Sequence, residues 1–148
     1  MSLAGLNNLY REVILDHSEH PHHKHSLAEA TNKITLKNPT CGDVINLELK
    51  LDNDVITDIG FTGEGCTISQ SSASMMTDAV LGKTTTESLE MARIFSDMVM
   101  GKEHSQAELA KLGDAAILSS IMQFPARIKC ATLSWWALRK SLGEDVDD

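Results

Sequence analysis

Three cysteines and one aspartate have the side-chain types expected of ligands for a borderline-soft metal ion. Cys41 and Asp43 lie in the stretch NPTCGD, Cys66 lies in TGEGCTIS, and Cys130 lies in FPARIKCATLSWW. Three thiolates and one carboxylate are the right number of ligands for tetrahedral Zn²⁺. The intervals between the cysteines are long and contain no CxxC pair, so the spacing alone indicates zinc only weakly.

The first pair of candidate ligands lies just before a predicted strand. Cys41 and Asp43 share the parity of Ile45 and Leu47, so both point to the core side if the strand extends back to them. Gly42 would let the backbone bend between them. A buried aspartate is unfavourable unless it is paired or coordinates a cation. The alternative, which the spacing alone favours, is a strand turn with an inert cysteine.

The other two cysteines lie near predicted helix starts. Cys66 follows two glycines and opens a helix, where unpaired N–H groups and the helix dipole favour a thiolate. A small buried residue at a helix start is an equally good interpretation of Cys66. Cys130 is preceded by Lys129 and Arg127, two cations that would also favour a thiolate. The alternative for Arg127 is an ordinary solvated surface charge, which is what most arginines are.

A histidine tract is the other candidate metal-binding feature. Residues 17–25 read HSEHPHHKH and hold five of the six histidines. Short histidine-rich tracts bind metals. This tract follows a predicted helix and contains Pro21, so we expect a solvated loop that captures Ni²⁺ or Zn²⁺ only adventitiously. We expect His17, on the helix stripe, to be packed and hydrogen-bonded.

The hydrophobic periodicity predicts the elements that must position these residues. Apolar residues recur at helical spacing up to His17, and alternate with polar residues between Lys33 and Phe61. The residues Asp52, Asn53 and Asp54 supply a turn. Helices are predicted from Cys66 to Gly82, at about residues 86–100, 107–112 and 115–122, and from Pro125 onward. Strands precede most of the helices, so the predicted class is α+β, a three-stranded antiparallel sheet with helices packed against it.

The length, net charge and cysteine count of the chain restrict the classes of function that it can have. The chain has 148 residues, which suit a single domain, 1–148, and a net charge of −8. We expect no nucleic-acid partner, because an acidic chain without a Lys/Arg run repels phosphates. An odd cysteine count, no signal peptide and no apolar run of membrane-spanning length predict a cytoplasmic protein that does not interact with a membrane.

The chain resembles the IscU/NifU-type iron–sulfur cluster assembly family. The likeness runs through LYREVILDHSEHP, NPTCGD, FTGEGCTISQSSASMMTD and FPARIKCATLSWWAL, and so covers nearly the whole chain. The resemblance implies the family fold, a three-stranded antiparallel sheet with packed helices. It also implies that Cys41, Asp43, Cys66 and Cys130 hold the metal.

Within that family the sequence is most similar to the SufU branch. Scaffold members have a histidine immediately before the third cysteine, where this chain has Lys129. They also carry a double-proline motif for an Hsp70-type chaperone, where this chain reads FPARIKC. The interval from Cys66 to Cys130 is expanded by a helical segment at about residues 83–113.

The SufU resemblance implies an enzyme, a zinc-dependent sulfurtransferase with one Zn²⁺ per chain. Its partners would be a PLP-dependent cysteine desulfurase of the SufS type and the SUF cluster-assembly proteins. Cys41 would accept the sulfur, Asp43 would be an exchangeable ligand, and Arg127 and Lys129 would lie in the interface or behind the ligands. Two alternatives use the same residues: a scaffold that assembles a [2Fe–2S] cluster or binds iron, and a structural zinc module that only binds a partner.

Overall fold

A computed structural model describes residues 8–38 and 42–143, and the α+β class predicted from the sequence is confirmed. In chain order the elements are α1 (Asn8–Glu19), β1 (Asn32–Asn38), β2 (Asp43–Asp52), β3 (Val55–Glu64), α2 (Thr67–Val80), α3 (Thr85–Val99), α4 (Gln106–Ala110), two 3-10 segments (Gly113–Gln123 and Pro125–Arg127) and α5 (Ile128–Ser141). Within the described ranges, no helix is long and apolar enough to cross a membrane.

The three strands form one antiparallel sheet in the order β1-β2-β3. The register pairs Leu47 of the central strand with Ile34 on one side and Phe61 on the other. Alternate side chains of β2 are buried, as the period of two predicts. Asn53 and Asp54 make the β2–β3 turn with φ angles of 51° and 66°, the left-handed conformation that tight hairpins need and that Asn and Asp tolerate.

The helices pack on one face of this sheet and on each other. Helix α5 contacts β1 and β2, while α2 and α3 contact α5, and α1 contacts α2. The Trp135 ring is fully buried and stacks on Phe95, with ring centroids 4.6 Å apart and an interplanar angle of 12°. Such aromatic pairs contribute about 0.5–1.5 kcal/mol beyond the burial of their area. This contact holds α5, and therefore Cys130 in its first turn, against the core.

Two other segments cover the outer edge of β3. The backbone N–H of Phe61 donates to the carbonyl of His23 at 3.0 Å, so the histidine tract lies along this edge. Gly60 is required here, because a Cβ at this position would overlap the carbonyl oxygen of His25. Further along the strand, the N–H of Ile56 donates to the carbonyl of Lys83 at 2.9 Å.

The segment before α5 differs in detail from the sequence prediction. The stretch predicted as a helix over about residues 115–122 is a 3-10 segment, Gly113–Gln123. The last helix was predicted to begin at Pro125, whereas a 3-10 turn, Pro125–Arg127, comes first and α5 begins at Ile128. The 3-10 turn forms because the N–H of Arg127 donates to the carbonyl of Phe124, three residues earlier, at 2.8 Å. An α-helix would instead pair residues four apart.

Helix α3 begins with a capping box that the sequence analysis did not identify. The Thr84 hydroxyl accepts from the backbone N–H of Glu87 at 3.1 Å, and the Glu87 carboxylate accepts from the N–H of Thr84 at 3.1 Å. The hydrogen bond from the Thr84 backbone is the main reason that the pKa of Glu87 is held below its ordinary value of 4.5.

The capping box predicts a pH-dependent contribution of Glu87 to stability. A lowered native pKa means that the ionised carboxylate stabilises the fold above the unfolded-state pKa, and that this contribution is lost as the pH falls through the native pKa. We expect Glu87→Gln to lower the unfolding midpoint in denaturant at pH 7, and the gap to the unmodified protein to close in the acid range. Glu103→Gln, at an exposed position outside any helix, is the control and should have a smaller effect. A gap that stays constant on acidification would contradict the prediction.

Candidate metal centre

Three of the four predicted ligands come together from three separate elements. Asp43 is the first residue of β2, Cys66 immediately precedes α2, and Cys130 is the third residue of α5. One carboxylate oxygen and the two sulfur atoms all lie within 4.8 Å of one another. Cys41, the fourth predicted ligand, lies outside the described residues. The cluster therefore joins the sheet to two helices.

The Asp43 carboxylate is buried, and only one of its two oxygens accepts a hydrogen bond from the described residues. The residue is 2% exposed, and its Oδ1 accepts from the backbone N–H of Cys66 at 3.1 Å. Among the described residues, Oδ2 has no hydrogen-bond partner. A buried carboxylate oxygen without a partner is strongly unfavourable unless a cation is bound to it. The donor set and this oxygen together fit a metal ion.

A glycine lets the metal-site loop pass close to Asp43. A Cβ added at Gly65 would lie 2.8 Å from Oδ1 of Asp43 and would also collide with the Ser69 hydroxyl. The Ser69 hydroxyl itself donates to the carbonyl of Cys66 at 3.1 Å, which ties the first turn of α2 to the loop. The absence of a side chain at Gly65 is therefore a condition for the N–H of Cys66 to reach the carboxylate.

The two sulfur atoms have different environments. Cys66 is half-buried and caps the N-terminus of α2, where the helix dipole stabilises a negative charge. Cys130 is fully buried. The Asn38 side-chain amide donates to the Cys130 sulfur at 4.0 Å. Such a donor stabilises a thiolate on the buried sulfur.

Asn38 is a site residue that the sequence analysis did not single out. It is the last residue of β1 and pairs directly with Asp43 in the sheet register. It belongs to the NPTCGD stretch already singled out. Because Asn38 has the same parity as Ile34 and Leu36 on β1, the sequence could have placed it on the core side of the sheet.

The two basic residues near Cys130 differ in exposure. Lys129 is exposed, and it lines a surface groove together with Lys37 and Lys140. Arg127 is half-buried in the 3-10 turn before α5. In a chain with a net charge of −8, the three lysines make this a locally basic surface beside Asn38.

The fold and the site define a class of protein, an α+β domain with a candidate metal centre of two cysteines and a carboxylate between its sheet and helices. The model of the NifU-like N terminal domain family matches residues 9–131, so the chain belongs to that family. The iron–sulfur cluster assembly scaffold protein IscU of Streptococcus pyogenes is 51% identical over 142 residues, 96% of this chain and 87% of that protein. The zinc-dependent sulfurtransferase SufU of Bacillus subtilis is 49% identical over 142 residues, 96% of this chain and 95% of that protein.

Solved structures agree with this assignment. A proposed iron–sulfur cluster assembly scaffold protein for the SUF system from Fervidobacterium islandicum AW-1 superposes with a TM-score of 0.80 at 34% identity, covering 88% of this chain and 94% of that one. A solved hypothetical protein gives a TM-score of 0.86 at 51% identity, covering 93% of this chain and 98% of that one. The resemblance to the IscU and SufU proteins is confirmed.

The close approach at Gly65 generates a prediction about metal affinity. Gly65→Ala should weaken zinc binding by about ten- to a hundredfold, because the added methyl group displaces Asp43, and disturbed ligand support costs about that much affinity. Affinity is measured by competition with a chromophoric chelator. Ser69→Ala should bind zinc like the unmodified protein, and the double variant Gly65→Ala/Ser69→Ala should still bind weakly. Full recovery in the double variant would show that crowding of Ser69, and not of Asp43, is responsible.

Proposed function

We propose that this iron–sulfur cluster assembly protein is a zinc-dependent sulfur acceptor for a PLP-dependent cysteine desulfurase of the SufS type. The observation that carries the proposal is the buried Asp43 carboxylate, which has an unpartnered Oδ2 and one oxygen within 4.8 Å of two sulfur atoms. A donor set rich in thiolates favours Zn²⁺ over hard cations. The name of the B. subtilis relative, a zinc-dependent sulfurtransferase, supports the same choice.

The proposed ligands are Cys41, Asp43, Cys66 and Cys130. Three of them lie on a strand, before a helix and in a helix, and Cys41 is separated from Asp43 only by Gly42. When bound, Zn²⁺ would keep the sulfur ligands deprotonated and limit their reactivity. Asp43 is the hardest of the four ligands on a borderline-soft metal, which makes it the one that exchanges most readily apart from the acceptor itself.

Cys41 is the proposed sulfur acceptor. Its thiolate attacks the outer sulfur of the persulfide on the desulfurase cysteine, the S–S bond breaks, and the desulfurase thiolate leaves. The product is a persulfide on Cys41, and no external oxidant or reductant is needed for this exchange. Gly42 supports the choice, because a glycine beside Cys41 allows backbone conformations, such as its own φ of +74°, that other residues rarely adopt. Cys66 and Cys130 are held by helices.

The surface beside the site supports docking of a partner there. Exposed Lys129, with Lys37 and Lys140, lines a groove that begins at Asn38, which itself contacts Cys130. Arg127 lies about one turn before Cys130, at the end of the 3-10 turn that precedes α5. We propose that Arg127 and Lys129 face the desulfurase and meet acidic groups on it. The SUF cluster-assembly proteins would receive the sulfur afterwards.

A second candidate function uses the same ligands, namely a scaffold on which a [2Fe–2S] cluster is assembled. The names of the S. pyogenes relative and of a Thermotoga maritima relative, both iron–sulfur cluster assembly scaffold proteins, favour it. The exposed Lys129 in place of a histidine favours the sulfur acceptor, because an ammonium group does not coordinate iron. The two candidate functions differ in their need for iron, because cluster assembly on a scaffold requires iron and sulfur acceptance does not.

The zinc proposal predicts a large effect of metal removal. We expect about one zinc per chain in protein purified without a histidine tag. Stripping it should destabilise the fold by several kcal/mol, since structural-type zinc sites contribute on the order of 10 kcal/mol. The reason is that the ligands tie the sheet to α2 and α5. The measurement is the melting temperature before and after chelation, with zinc added back as the control. An unchanged melting temperature after complete zinc removal would contradict the proposal.

The acceptor proposal predicts faster alanine release by the desulfurase. Mixed with a SufS-type desulfurase, cysteine and a reductant, the protein should accelerate alanine formation many-fold without iron, because clearing the persulfide completes each turnover. Cys41→Ala should abolish the acceleration and Asp43→Ala should impair it. Asp52→Ala, an exposed position at the other end of β2, is the matched control and should behave like the unmodified protein.

The same assay with added Fe²⁺ tests the scaffold. A stable visible absorbance from a chain-bound cluster, with no effect on desulfurase turnover, would replace the acceptor proposal with the scaffold. Acceleration that persists in Cys41→Ala would retain an acceptor function but reject Cys41 as the acceptor.

A further inference from the structure

We propose that His17, His22 and Asp78 form a second metal site, for a divalent first-row transition-metal ion, separate from the thiolate centre. His17 is on α1, His22 is in the histidine tract, and Asp78 is near the end of α2. One donor atom from each lies within 4.8 Å of the other two. Cys66 and Asp78 are separated by twelve residues of the α2 segment, which is about 18 Å at 1.5 Å per residue, so the two sites do not share an ion.

The donor atoms already face one another. Nδ1 of His22 lies 2.5 Å from Oδ2 of Asp78, and the His17 and His22 ring centroids are 4.7 Å apart. Two ligands of one zinc-like ion, each about 2.0–2.2 Å from it, are separated by roughly 3–3.5 Å. His22 and Asp78 are exposed, so small rotations of their side chains suffice to reach that geometry. The metal would replace the hydrogen bond between His22 and Asp78.

The surrounding hydrogen bonds orient these ligands before any ion arrives. His17 is 2% exposed, with Nδ1 2.7 Å from the Ser74 hydroxyl and Nε2 2.9 Å from Asp114. Whichever ring nitrogen binds the metal, the bond from the other fixes the ring, which is the usual arrangement around a ligating histidine. The Ser74 hydroxyl also accepts from the backbone N–H of His22 at 2.8 Å, which holds the tract against α2.

A further histidine supports the carboxylate from the other side. Nε2 of His23 lies 3.3 Å from Oδ1 of Asp78, so the two carboxylate oxygens face different imidazoles. The tract is an exposed loop, as expected from the sequence, but within it His22 and His23 are both directed at Asp78 of α2. The expectation that His17 is packed and hydrogen-bonded is confirmed.

The donor set determines the class of ion. Two imidazoles and one carboxylate suit Fe²⁺, Co²⁺, Ni²⁺ or Zn²⁺, and they leave coordination positions open for water. The exposure of His22 and Asp78 gives water that access. Hard ions such as Mg²⁺ are disfavoured, because imidazole nitrogen is a poor ligand for them. A bound ion would fasten the histidine tract to the C-terminal end of α2.

The test is calorimetric titration of Ni²⁺ into untagged, zinc-loaded protein, with zinc content measured before and after. We expect one nickel per chain and no loss of zinc. His22→Ala and Asp78→Asn should each weaken nickel binding by about tenfold or more, since even a lost supporting contact to a ligand costs about that much. The double variant His20→Ala/His25→Ala removes two exposed imidazoles of the same tract and should keep the affinity within about twofold.

Three results would overturn the proposal. The first is nickel binding that survives in both His22→Ala and Asp78→Asn, which would place it elsewhere. The second is binding lost equally in the His20→Ala/His25→Ala control, which would indicate unspecific capture by the tract. The third is displacement of zinc in step with nickel uptake, which would assign the nickel to the thiolate centre.

Discussion

The carboxylate of Asp43 imposes the constraint on which the rest of the site depends. It is buried at the start of the central strand, one oxygen accepts from the backbone of Cys66, and the other has no partner among the described residues. Burying such a group without compensation is too unfavourable for a protein whose whole stability is about 5–15 kcal/mol. The strand register, the bare backbone at Gly65 and the position of Cys130 together place this carboxylate beside two cysteine sulfur atoms, where a bound cation would compensate its charge.

The site also links elements that the chain order keeps apart. Asp43 begins a strand, whereas Cys130 lies on the last helix and is held there by the stacking of Trp135 on Phe95. Helices α3 and α4 occupy the chain between Cys66 and Cys130. The core therefore sets the distances between Asp43, Cys66 and Cys130 independently of any bound metal.

Local patterns predicted the fold well, and the contacts between distant residues poorly. The period of two gave the strands, and the Asn53-Asp54 turn was recognisable because few residues adopt positive φ angles. The contact of Asn38 with Cys130 and the pairing of His22 with Asp78 join residues 92 and 56 positions apart. Such contacts depend on how helices pack, and no local periodicity encodes them. The 3-10 segments were also missed, because their hydrophobic pattern is close to that of an α-helix.

The hydrogen bond from Phe61 to the backbone of the histidine tract has a consequence for self-association. A three-stranded open sheet has two edges, and exposed edges are templates for pairing with another chain. On β3 the edge is already covered, by His23 and by the backbone around Lys83. On β1 the exposed side chains of Lys33 and Lys37 bring charge to the other edge, where a second copy would meet like charges. The sheet is thereby protected against intermolecular growth on both sides, by coverage on one and by electrostatic repulsion on the other.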